Sequence, residues 1–193
     1  MKNLRVTRVE RVENASLWKN HRRQQAALRE RLRQHNIEFA PIDTLDQHTS
    51  KSDTNVNECW LWHGTTKEKV DHIAHCGFDP RLAHNGLYGA GSYFTDSFCK
   101  ANQYAAKNKE SEQEEYCALY CLVTMGAAYQ TVERKDRSTI GKRPPINPAT
   151  PDVPYDTVFA QSGKASGGEQ VHNEFVIFLA NHAYPAWIVW YSL

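Results

Sequence analysis

The 193-residue chain contains no run of about 18 apolar residues, and its first stretch, MKNLRVTRVERVENASLWKNHRR, has no apolar core. Neither a membrane-spanning helix nor a secretory leader is therefore expected. Net charge is nearly absent too, with 23 Lys and Arg against 22 Asp and Glu, so no global field gathers nucleic acid or an anionic membrane. Recognition must be local. Cysteines are few and odd in number, five without a regular framework, which argues against a disulfide-stapled secreted scaffold. Free thiols in a reducing, intracellular setting, cytoplasmic or nuclear, are expected. Repeats and low-complexity segments are missing, and no GxGxxG lies in a βαβ context, which removes the Rossmann reading. What is present, 40% hydrophobic and 11% aromatic residues, suffices for one domain with a sizeable core.

The most informative run is CWLWHGTTKEKVDHIAHCGFDP, residues 59–80. Cys59, Leu61 and His63 alternate with Trp60 and Trp62, which predicts an interior strand apolar on both faces and ending in a histidine. Thr65 with Glu68 forms a capping-box pattern, Val70, Ile73 and Ala74 keep helical spacing, and Gly77 marks a stop, so a helix of about three turns follows. The run delivers an imidazole and exposed backbone groups to one point. His63 is either a ligand-gripping group there or a strand-end histidine with a satisfied ring. Cys59, His63, His72, His75 and Cys76 also cluster in sequence, but their spacing matches no closed zinc ligand set.

Around this run, residues 4–12 read as an edge strand, and Leu17, Trp18, His21, Gln25, Leu28 and Leu32 trace one stripe of a helix starting at Asn14. The opposite face carries Lys19, Arg22, Arg23, Arg29, Arg31 and Arg33, a solvated face or a phosphate-contacting one. Residues 41–57 read as a connecting loop. In HNGLYGAGSYFTD, Gly86, Gly89 and Gly91 suit unusual dihedrals or close approach to a ligand, and Asp96 or Ser97 could cap a helix carrying Lys100 and Tyr104. Charged residues 107–115 read as an exposed turn. Tyr116–Met125 reads as a central strand ended by Gly126. The prolines between residues 127 and 170 predict a long loop region. NEFVIFL and AWIVWYSL read as closing strands joined by a turn at Asn181–Pro185. Glu174 opens the first of these, and a carboxylate there is costly to desolvate unless it is paired or faces a polar cleft. It is either an active group or a strand-end glutamate that reaches solvent.

Three separated pieces, HGT at 63–65, GAGSYF at 89–94 and NEFVIF at 173–178, resemble the catalytic domain of the poly(ADP-ribose) polymerase family of diphtheria-toxin-like ADP-ribosyltransferases. The likeness extends to VTRVERVENASLW, YDTVF at 155–159 and AYPAWIVWY, and so covers nearly the whole chain. It implies an α+β fold of two roughly perpendicular antiparallel sheets with flanking helices, as one catalytic domain over residues 1–193. The regulatory helical domain, the tankyrase zinc-binding insertion and accessory domains have no counterpart in these residues. The implied activity is transfer of ADP-ribose from NAD+, a co-substrate, to a protein acceptor with release of nicotinamide and without a metal. The chain itself is among the candidate acceptors. His63, Tyr93 and Glu174 match the family's catalytic set. By the same resemblance His63 bonds the adenine-side ribose, the Gly64 backbone grips the nicotinamide carboxamide, and Thr65 lies near the adenosine. Tyr93 and Tyr104 sandwich nicotinamide, and Arg81, in the loop 78–92, contacts adenine or phosphate. One position departs from the pattern: Ala101 stands where the family usually has a serine holding the nicotinamide amide, a loss of about 0.5–1.5 kcal/mol in binding. The retained glutamate matches members that elongate chains, whereas the terminal segments look more like the single-transfer, mono-ADP-ribosyltransferase branch, which tips the expectation towards single-unit transfer. Two further readings stay open: a module that holds NAD or ADP-ribose with little turnover, and transfer onto nucleic-acid ends, for which the basic helix is the only cue. No membrane partner is expected.

Overall fold

The computed structural model describes residues 4–40, 42, 51–79, 82, 85–105, 115–132, 144–148, 150, 153–162 and 172–193. In chain order the elements are β1 (Arg5–Arg11), α1 (Ala15–Gln34), β2 (Lys51–Asp53), β3 (Glu58–Gly64), α2 (Lys67–Cys76), β4 (Asn85–Gly86), β5 (Gly89–Ala90) and β6 (Ser92–Phe94). They continue with α3 (Phe98–Ala105), β7 (Tyr116–Thr124), β8 (Ala128–Thr131), β9 (Thr157–Ala160), β10 (Glu174–Ile177) and β11 (Ala183–Ser192). The result is an α+β fold with a five-stranded sheet ordered β1-β11-β7-β3-β2, a four-stranded sheet ordered β6-β10-β9-β8, and a β4-β5 hairpin.

The apolar run of β7 puts it at the centre of the larger sheet, antiparallel to β3 on one side and β11 on the other. Its alternate residues Leu119, Cys121 and Val123 join Cys59, Leu61, Ile188 and Trp190 on one face, where they meet Phe94, Phe159, Phe175 and Ile177 of the smaller sheet and Val70 of α2. Each large side chain so enclosed contributes about 1.5–3 kcal/mol through removal from water. On the other face, α3 packs through Phe98 and Ala105 against Trp62, Ala118 and Tyr191. β1 lies at the sheet edge, as its sequence predicts.

Helix α1 is capped by Asn14, whose side chain accepts from the Leu17 N–H, and its buried stripe is His21, Gln25, Leu28 and Leu32. Buried Glu58, at the start of β3, accepts from His21 Nε2 at 3.0 Å and Gln25 Nε2 at 2.8 Å, which fixes the helix to the sheet. On its basic face Arg29 pairs with Asp53, Arg31 with Asp156 and Arg33 with Glu30. Half of the arginines and lysines that could have met phosphates are thus already neutralised.

Several expectations need correction. The loop read over residues 41–57 ends in β2 and a 3-10 turn at Thr54–Val56. The region 127–170 carries β8 and β9, and these two pair parallel, so the smaller sheet is mixed rather than antiparallel. A parallel pair needs a connection of a dozen or more residues, and the stretch between β8 and β9 supplies it. Thr66, not Thr65, is the N-cap of α2. At the start of α3 the outcome agrees with one of the two cap candidates: the carbonyl of Ser97 accepts from the N–H groups of Lys100 and Ala101. The turn placed at Asn181–Pro185 is a 3-10 turn at Ala180–His182, and Pro185 lies inside β11 beside a register shift, where a missing N–H is tolerated. Most of the charged turn at 107–115 lies outside the described residues.

Candidate active site

Among the described residues, one backbone bridge outside the named strands joins the two sheets, Trp62 to Thr95. Trp62 N–H donates to the Thr95 carbonyl at 2.8 Å and Thr95 N–H returns to Trp62 at 2.9 Å. Beside this seam an open cleft with a cavity of about 60 Å³ is lined by Trp62, His63, Gly64, Tyr93, Phe94, Thr95, Lys100, Ala101, Tyr104 and Glu174. Residues from β3, β6, α3 and β10 therefore converge on one cavity.

At the end of β3, the His63 ring packs edge-on against Phe78 and tilted against Phe94, with ring centroids 5.0 and 5.3 Å away. Its Nδ1 lies 2.8 Å from the Tyr93 carbonyl, which can only accept. The proton is thereby fixed on Nδ1, and Nε2 is left as an acceptor. Burial, with a smaller effect from Lys69, lowers the ring's pKa to about 4, so the ring stays neutral at ordinary pH. Gly64, the next residue, sits flush against α3: a Cβ there would come within 1.9 Å of the Ala101 carbonyl oxygen. Only glycine lets strand and helix backbones approach so closely.

Tyr93 stands on β6. Its hydroxyl donates to the Gly89 carbonyl at 2.8 Å and accepts from the Tyr88 N–H at 2.9 Å. Burial pushes the phenol's pKa up, which keeps that proton in place. Gly86 lies against the ring, with a Cβ there 2.1 Å from the Tyr93 oxygen, so the glycines of this stretch serve packing on Tyr93 as well as any ligand. Tyr104, one helical turn from Lys100 on α3, is 38% exposed, enough ring to offer a face to a ligand. Across the cleft Glu174 is buried, and its Oε1 lies 3.0 Å from Lys100 Nζ. Oε2 has no hydrogen-bond partner among the described residues.

The cleft thus brings together His63, Gly64, Tyr93, Tyr104 and Glu174 of the residues singled out in the sequence. Thr65 is buried next to it but does not line it. Arg81 lies outside the described residues. Ala101 lines the cleft. The Glu174 partner Lys100 was not singled out. The signal for it is its i,i+4 spacing with Tyr104 on a short helix whose other face is buried. Among the described residues no group of three His, Cys, Asp or Glu is arranged to hold a metal, and no helix is long and apolar enough to cross a membrane.

The family model described as "Poly(ADP-ribose) polymerase catalytic domain" matches residues 1–193. The chain is 24% identical over 97% of its length to "Protein mono-ADP-ribosyltransferase PARP12" of Mus musculus, of which it covers 22%. It is 25% identical over 96% of its length to "Protein mono-ADP-ribosyltransferase PARP14" of Homo sapiens, of which it covers 9%. A Dictyostelium discoideum protein described as a "Probable poly [ADP-ribose] polymerase" is 24% identical over 96% of the chain, which covers 44% of that relative. The chain spans less than half the length of each of these relatives.

Proposed function

The chain belongs to the poly(ADP-ribose) polymerase catalytic-domain family, and on that premise we propose that it is an NAD+-dependent ADP-ribosyltransferase, moving ADP-ribose to a protein acceptor and releasing nicotinamide. The observation that carries this reading is the convergence of His63, Tyr93 and Glu174, from three strands, on one cleft. His63, neutral and with Nε2 open, accepts a hydrogen bond from a ribose hydroxyl. The Gly64 backbone holds the carboxamide, and Tyr93 and Tyr104 present ring faces to nicotinamide. As the bond from the ribose C1 to the pyridinium nitrogen breaks, its electron pair leaves with neutral nicotinamide and positive charge develops on the sugar. Glu174, oriented by Lys100 at Oε1, offers Oε2 to a ribose hydroxyl and its negative charge to that cation. The acceptor's nucleophile then bonds C1 and loses its proton to solvent. Arg81 is assigned to the adenine or phosphates and Thr65 to the adenosine, on the family resemblance alone.

Transfer of single units is favoured over polymer by the names of the PARP12 and PARP14 relatives. Intact-mass measurement after incubation with NAD+, with nicotinamide followed in parallel, tests the whole reading. Stepwise additions and nicotinamide release are expected from the wild type. Glu174→Gln should lower turnover by roughly two to three orders of magnitude, the loss typical of one electrostatic stabiliser, with NAD+ affinity nearly intact. Equal turnover in the two would remove Glu174 from catalysis, and binding without nicotinamide release in the wild type would leave a dinucleotide-holding module instead.

A further inference from the structure

Glu174 is the first residue of a strand only four residues long, and strand ends are where a backbone is least constrained. Its ladder is also incomplete. On the β9 side Glu174 pairs with Ala160, but on the β6 side pairing with β10 stops at Phe94 opposite Phe175. The next residue of that flank, Thr95, has given both its N–H and its carbonyl to Trp62 of the other sheet. Thr95 thus points its backbone groups away from β10, and the β6–β10 ladder ends at Phe94 and Phe175. The glutamate lies one residue beyond the last rung of that ladder.

A side chain continues the link past that point. Asn173, 2% exposed, donates through Nδ2 to Asp96 Oδ2 at 2.7 Å, one register step beyond Thr95, and accepts through Oδ1 from the Ser162 N–H at 2.7 Å on the chain leaving β9. The backbone N–H can only donate, so the orientation of the amide is set: oxygen to Ser162, nitrogen to the carboxylate. Asn173 thus spans both flanks of β10 immediately before Glu174. Asp96 lies between the Tyr93 strand and the helix that carries Lys100 and Tyr104. The bond from Asn173 to Asp96 therefore ties the glutamate's strand to the segment that presents the rest of the cleft.

We infer that the Asn173–Asp96 pair is a positioning device that carries the link between the two flanks beyond the last ladder rung and fixes Glu174 at the reacting carbon. This rests on the proposed transferase reading. A reacting group must be held within about 0.5 Å of its productive place, and His63 and Gly64, on the other sheet, do not depend on the pair. Its loss should accordingly lower kcat and spare NAD+ binding.

Nicotinamide release is measured at varied NAD+ for the wild type, Asn173→Asp, Asp96→Asn and the exchanged pair carrying both substitutions. Asn173→Asp sets two carboxylates face to face and should lower kcat at least tenfold with KM for NAD+ within about twofold, by analogy with displaced reacting groups. The exchanged pair again sets an amide against a carboxylate while an oxygen still faces Ser162 N–H, and should recover most of the turnover. Should Asn173→Asp fail to fold, recovery of folding and turnover together in the exchanged pair supports the inference, and a folded exchanged pair with kcat below a tenth of wild type overturns it. Wild-type kcat in a folded Asn173→Asp protein, or a loss expressed only in KM, also overturns it. An inactive wild type would instead remove the transferase reading, and this inference with it.

Discussion

On the proposed transferase reading, residue 101 decides how tightly this cleft holds the nicotinamide end. Ala101 is buried, lines the cavity and has its carbonyl against Gly64, so a hydroxyl added there lies beside the backbone proposed to hold the carboxamide. Ala101→Ser should strengthen NAD+ binding by about 0.5–1.5 kcal/mol, one neutral hydrogen bond. Calorimetry with the full chain reads this directly, and an unchanged or weaker affinity would show that the hydroxyl finds no partner. At this scale the sequence was legible where a residue type is rare in its setting: His63 before a glycine, and Glu174 at the head of an apolar strand. Lys100 was harder to see, because its significance lies in a contact with residue 174, far away along the chain. Neighbouring Thr65 and Thr66 are both capping residues, and only the backbone angles decide which of them starts the helix.

At the scale of elements, the β4–β5 hairpin is held by a side chain outside it. The Tyr93 phenol binds Tyr88 N–H and the Gly89 carbonyl and so couples the hairpin to a strand of the cleft. Tyr93→Phe keeps the ring and removes both bonds, at about 0.5–1.5 kcal/mol each. Amide exchange at Tyr88 should accelerate roughly tenfold or more, with a rise in KM for NAD+ that exceeds the change in kcat. Unaltered exchange at Tyr88 would mean that the hairpin stands without the phenol. Elements with long apolar runs, β3, β7 and β11, were readable from the sequence, as were α1 and α2 with their capping Asn14 and terminal Gly77. β2, β8 and β9 were not: each is three or four residues long, and their stability comes from partners in the sheet rather than from a local pattern. Parallel pairing of β8 with β9 leaves no local trace either, since it depends on where a long connection returns.

For the molecule as a whole, two histidines set the acid limit. Burial lowers His182 to about 4 from an ordinary 6.5, and His63 is lowered to about 4 as well. Between those values the unfolded chain binds protons that the fold refuses, so stability is full above pH 6.5 and is lost as pH falls towards 4. Each histidine contributes a slope approaching about 1.4 kcal/mol per pH unit. Asp156 acts in the opposite sense, because burial raises its carboxyl and the fold takes up that proton earlier than the unfolded chain. Urea unfolding at stepped pH should show the acid decline, and His182→Gln should flatten it; a flat profile between about pH 7 and 5 would contradict the assignment of both rings. The Trp62–Thr95 seam has a different consequence at this scale. Because the cleft exists only where two docked sheets touch, it has no independent existence as a loop or a fragment. Lesions far from any site residue that let the sheets part would silence the protein as completely as removing Glu174, and heat-inactivation curves would trace the melting of the whole.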